Sequence, residues 1–136
     1  MDNVQDIQKI LPHRFPILLV DKILELNLKK KIIAQKNITF NDPIFQGHFP
    51  GHPIYPAVHL VEGLCQCAQL MYQSELAVTV KLEDFKFSKP VVPGDILIYE
   101  VILDSEKGPF VVSKAEIKVA GKIVTKGIIT GQCLSK

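Results

Sequence analysis

Cysteine is scarce in this chain, with three residues among 136. Cys65 and Cys67 stand two apart on one segment and Cys133 lies near the C-terminus. That odd set is neither a disulfide framework nor a metal-binding spacing, so a reducing, cytoplasmic setting is expected. Long apolar runs are missing as well. No stretch approaches the ~18 apolar residues of a membrane span. The opening MDNVQDIQKILPHR has early acids and no long apolar core, so it reads as neither a secretory signal nor a transit peptide. Charge of one sign is also lacking: 16 Lys+Arg against 14 Asp+Glu leave +2, too little to argue for a nucleic-acid partner. No internal repeat, linker or low-complexity tract divides the sequence. Residues 1–136 are expected to form one domain, large enough to bury roughly two-thirds of its unfolded surface.

What is present concentrates between Phe45 and Gln69, FQGHFPGHPIYPAVHLVEGLCQCAQ. Gly47, Pro50, Gly51, Pro53 and Pro56 punctuate a loop that holds His48, His52 and Tyr55. Proline fixes its own φ and restricts the residue before it, so such a loop can be ordered without regular structure. Pro56 then favours a helix start, and Val58, Val61, Leu64, Cys65, Ala68, Met71 and Tyr72 follow the i, i+3, i+4 spacing of a helix over Ala57 to Ser74. Leu60, Cys67 and Leu70 carry the apolar surface further round, which predicts a helix wrapped by other elements. Its single carboxylate is Glu62. A lone acid there is costly to desolvate and needs a partner or a task.

Around this segment helix and strand signals are segregated rather than alternating. Asn3 is placed to cap a short helix through Ile10, with Val4, Ile7, Ile10 and Leu11 on one face and Pro12 as its stop. Ile17 to Leu28 and Lys31 to Thr39 read as antiparallel strands joined by the solvated basic turn Lys29-Lys30-Lys31. Leu76 to Phe87, Ile96 to Leu103, Phe110 to Val119 and Ile123 to Cys133 are strand-like, separated by Pro93-Gly94-Asp95, Lys107-Gly108-Pro109 and Ala120-Gly121. Two strands, a buried helix and four more strands give an α+β order: one antiparallel sheet of about six strands curled round a central helix.

Read from residue types alone, the polar groups keep more than one meaning. His48 is either a catalytic imidazole or a hydrogen-bonding member of a Pro/Gly turn. Glu62 is either a working acid or a core acid paired with His59 one turn earlier. Gln66 is a brace for Glu62 or a surface amide. His48 and His52 are four apart, but two prolines intervene and no further ligand stands near, so a metal site is not expected. Cys65 and Cys67 read as small core residues.

Four stretches, LPHRFPILLVD (Leu11 to Asp21), GHFPGHPIYP (Gly47 to Pro56), VEGLCQ (Val61 to Gln66) and FKFSKPVVPGD (Phe85 to Asp95), carry a resemblance. In content, order and spacing the chain resembles the 3-hydroxyacyl-acyl-carrier-protein dehydratases of the FabZ type, which have the hot-dog fold. The glutamate falls fourteen residues after the histidine of GHFP, which makes the match specific. The resemblance implies loss of water from a 3-hydroxyacyl thioester, with His48 as the base and Glu62 holding or protonating the departing hydroxyl. It implies oxyanion donors from the amides of Ala57 and Val58, aided by the helix dipole, with Gly47, Tyr55 and Gln66 around the substrate. No metal or organic cofactor is implied.

It also implies partners. Hot-dog protomers pair edge to edge, often as three dimers in a hexamer, and His48 of one protomer then works with Glu62 of the other. Acyl carrier protein is acidic, so Lys86 and Lys89, with Lys81 and Arg14 behind them, are the expected docking cations, against a reading as solvated strand lysines. Pro56-Ala57-Val58-His59 departs from the family's usual P-G-V-L. A methyl at Ala57 can crowd the thioester, and a His59 paired with Glu62 would weaken it as an acid. Ser74 to Glu83 is shorter than usual for the family. The rival readings are therefore a hot-dog protein that binds acyl thioesters, or assembles with an active partner, without turnover, and less favourably a thioesterase.

Overall fold

The computed structural model describes residues 3–74 and 76–134. A short helix α1 (Val4–Gln8) precedes strands β1 (Lys22–Asn27) and β2 (Lys31–Asn37). A 3-10 turn (Pro43–Gln46) and helix α2 (Ala57–Tyr72) follow, and then β3 (Ala77–Phe87), β4 (Ile96–Lys107), β5 (Phe110–Val119) and β6 (Lys122–Cys133). The six strands form one antiparallel sheet in the order β1-β2-β4-β5-β6-β3, with β1 and β3 at its edges. Helix α2 touches β2, β3, β4, β5 and β6, so the sheet curls round it as a hot-dog fold. Leu60, Leu64, Cys67, Leu70 and Met71 of α2 meet Ile32, Leu97, Tyr99, Val101 and Ile117 of the sheet in one core.

Two segments depart from the expected boundaries for physical reasons. Helix α1 stops at Gln8, two residues short of Ile10, although Asn3 caps it as anticipated by accepting from Asp6 N at 3.1 Å. The expected strand from Ile17 begins only at Lys22. Residues 17–20 are apolar because they lie on α2: Leu19 and Val20 are buried, and Leu19 N–H donates to the Gln66 side chain instead of to a neighbouring strand. Elsewhere the limits shift by a few residues. Helix α2 ends at Tyr72, where Gln73 takes a left-handed φ of 54° and caps it, and β4 extends to Lys107 to close its hairpin with Phe110.

Gly63 is required by a close approach. Tyr99 of β4 passes directly beneath it and donates from Oη to Leu19 O at 2.8 Å, and a Cβ on Gly63 would overlap the tyrosine ring. The helix face that carries Gly63 is thereby pressed against the sheet, and Glu62, the residue before it, stays partly exposed. The first turn of α2 is not wrapped as expected, since Val58 is 73% exposed. Edge strand β3 is similarly open along Val78, Val80 and Leu82.

Candidate active site

The loop ahead of α2 builds a fixed seat for His48. Phe49 N–H donates to His52 O and His52 N–H to Phe49 O, at 3.0 and 2.8 Å, closing a turn in which Gly51 takes a φ of 72°. Ile54 N–H returns to His48 O at 3.0 Å, and Tyr55 N–H anchors the loop to Val91 O at 2.8 Å. The half-buried His48 ring stacks on Phe49 with centroids 4.0 Å apart. Its Nδ1 lies 2.7 Å from Ile54 O. A carbonyl oxygen can only accept, so Nδ1 carries the hydrogen and the neutral ring keeps its lone pair on Nε2.

Helix α2 starts without a side-chain cap, because Pro56 stands in the N-cap position. The first helix amides with an acceptor are those of His59 and Leu60, both onto Pro56 O. Among the described residues no backbone acceptor meets the N–H groups of Ala57 and Val58, which stand at the end of the helix that favours negative charge. Gly47 N–H, by contrast, is spent on Ile44 O at 3.2 Å. Tyr55 is buried with its hydroxyl unpartnered among the described residues. Burial, with Asp42 and then Asp21 in its field, pushes its ionisation well above the ordinary tyrosine range, so it stays a neutral group.

Glu62 follows one turn after Val58 and is held from the side. Gln66 Nε2 donates to Glu62 Oε2 at 3.0 Å and to Ile17 O at 2.7 Å, while Gln66 Oε1 accepts from Leu19 N at 2.8 Å. Those three partners fix the amide's orientation, since one is a donor and two are acceptors. Gln66 is thus the brace that one sequence reading offered, and a buried one. His59 does not pair with Glu62. Its ring stands edge-on to Tyr55 with centroids 5.6 Å apart, and the imidazole beside Glu62 is that of His13, Nε2 to Oε2 at 3.6 Å. Sequence reasoning missed His13, although it lies within the LPHRFP stretch; only folding brings that stretch onto the helix.

Glu62, Gln66 and His13 line a cavity of about 290 Å3 between α2 and strands β3, β5 and β6. His48, Gly47, Tyr55, Ala57 and Val58 do not line it. Within one chain the two expected catalytic side chains therefore do not meet in this cavity. Cys65 does line it, with burial pushing its thiol up to about 11, and Cys67 is wholly buried in the core. Of the expected docking cations, Lys86 and Lys89 are exposed at the end of β3. Lys81 pairs with Glu83 at 3.5 Å, and the Arg14 guanidinium is occupied by the carbonyls of Leu11, His13 and Gln8.

The profile of the FabA-like domain matches residues 11–128. Curated relatives named 3-hydroxyacyl-[acyl-carrier-protein] dehydratase FabZ include one from Aliarcobacter butzleri, 37% identical with all of both chains covered. Another, from Fusobacterium nucleatum, is 41% identical over 96% of each chain. The chain belongs to the FabZ family. Among solved structures, the dehydratase heterocomplex ApeI:P of Xenorhabdus doucetiae superposes with a TM-score of 0.82 at 15% identity, covering 96% of this chain and 91% of that one. A hypothetical thioesterase with coenzyme A from Streptococcus pneumoniae gives 0.68 at 13%, over 84% and 85%. At those identities the likeness is one of fold. The FabZ relatives are matched over nearly their whole length, so the loop, α2 and the Glu62 cavity all lie within the shared region.

Proposed function

We propose that this chain dehydrates 3-hydroxyacyl thioesters carried on acyl carrier protein, yielding trans-2-enoyl thioesters in fatty-acid or related acyl-chain synthesis. His48 Nε2 removes the proton α to the thioester carbonyl. The developing oxyanion is met by the amides of Ala57 and Val58, a kind of donor that contributes roughly 3 kcal/mol in other enzymes. Glu62 gives its proton to the departing hydroxyl, which leaves as water. The observation that carries this reading is the 2.7 Å bond from His48 Nδ1 to Ile54 O, which leaves Nε2 as the acceptor a base needs.

Residues 1–136 act as one domain, in the cytoplasm, and the working unit is a homodimer or a trimer of such dimers. Each site combines His48 of one protomer with Glu62 of the next. The separation of His48 from the Glu62 cavity, the open β3 edge and the uncovered Val58 all support this arrangement. Lys86 and Lys89 receive the acidic carrier protein. The no-turnover reading keeps Ala57 in its favour, but the packing of His59 against Tyr55 removes its second reason. Complementation tests the whole assignment. His48→Ala and Glu62→Gln proteins, each inactive on 3-hydroxyacyl carrier protein, should regain activity when their subunits are exchanged. No recovery despite proven exchange refutes the shared site, and a wild type that forms no enoyl product refutes the dehydratase reading.

A further inference from the structure

The cavity beside Glu62 carries polar groups that dehydration does not use. Gln69 lies on α2 seven residues beyond Glu62, two turns and roughly 10 Å along the helix axis. It is 7% exposed, and its Nε2 has no hydrogen-bond partner among the described residues. Ser113, on β5, is 1% exposed, and its Oγ is likewise unpartnered among the described residues. Both side chains line the cavity, whereas Gln66 between Glu62 and Gln69 has its amide fully engaged. Among the described residues that line the cavity, the other buried atom without a partner is His13 Nδ1, back at the Glu62 end. The Gln69 and Ser113 atoms are both closed over in the chain as it stands, so a bare alkyl chain leaves them buried and unsatisfied, whereas an oxygen met by a turn of either side chain satisfies them.

We propose that the cavity takes acyl chains bearing a hydrogen-bonding oxygen, a hydroxyl or a carbonyl, about two helical turns beyond the reacting carbon, where Gln69 and Ser113 hold it. The inference rests on the dehydratase reading, which sets the reacting carbon at Glu62. A pocket with polar groups waiting discriminates steeply against an analogue that lacks their partner, more steeply than an apolar pocket rejects an added oxygen.

The test compares carrier-protein thioesters of 3-hydroxydecanoate and 3,10-dihydroxydecanoate. The expected result is a kcat/KM ratio of about tenfold or more in favour of the dihydroxy chain. Gln69→Met and Ser113→Ala, which keep the shape and remove the polar group, should each bring that ratio toward one. A wild type that prefers the plain chain, or variants that leave the ratio where it was, overturns the proposal. If neither thioester is turned over, the dehydratase reading has failed, and calorimetry with decanamide and 10-hydroxydecanamide decides the inference alone. Tighter binding of the hydroxylated amide, lost in Gln69→Met, sustains it, and equal binding overturns it.

Discussion

His48 and Glu62 are held in opposite ways. The histidine is fixed by main chain from its own neighbourhood, Ile54 O six residues on and the Phe49–His52 turn between them. The glutamate is fixed by side chains whose own anchors are remote, since Gln66 is oriented by Ile17 and Leu19, 49 and 47 residues away. A base held by its own loop keeps its geometry as long as that loop closes. An acid held through distant contacts depends on the whole fold, so substitutions near Glu62 should change stability and rate together.

The largest effect expected is loss of the base. His48→Ala should lower kcat by about 10²–10⁴-fold with little change in Tm, and a Tm that falls with kcat would erase the distinction between the two sites. Gly63→Ala, next to Glu62, should lower Tm and kcat together. Its methyl drives into Tyr99 and costs about 1–3 kcal/mol, lowering Tm by several degrees in a thermal melt. Gln66→Leu should do both, since it leaves Leu19 N–H buried and unpaired at about 1–3 kcal/mol and lets Glu62 swing, lowering kcat. A Gln66→Leu protein with normal kcat would show that Glu62 does not need its brace. The smallest effect belongs to Lys81→Ala, whose exposed pair with Glu83 contributes about 0–1 kcal/mol. Lys86→Ala and Lys89→Ala should raise KM for carrier-protein substrates at low salt and leave small thioester analogues unaffected.

The same contrast explains what was legible beforehand. The loop, the helix and the strands could be read because their signals are local: prolines at fixed intervals, apolar residues at helical spacing, alternation from Ser113 to Val119. The sheet and the helix inside it followed from the element order. Residues 17–20 were misread as strand because apolar composition does not say whether a segment pairs with a strand or lies on a helix. His13 beside Glu62, and His59 against Tyr55, were equally out of reach. Spacing along one helix pointed to His59, and only folding brings the LPHRFP stretch to the acid. The cavity and its unpaired Gln69 and Ser113 depend on which strands face α2, which the sequence pattern leaves open.

The locked amide of Gln66 has one more consequence, for the address of a single hydrogen atom. Because Oε2 of Glu62 always receives an N–H, it must serve as the carbonyl oxygen whenever the acid is neutral. The acidic hydrogen then sits on Oε1. A carboxylic acid in water can present its proton from either oxygen, whereas this one has a single outlet, chosen by a neighbour that never touches the substrate's hydroxyl.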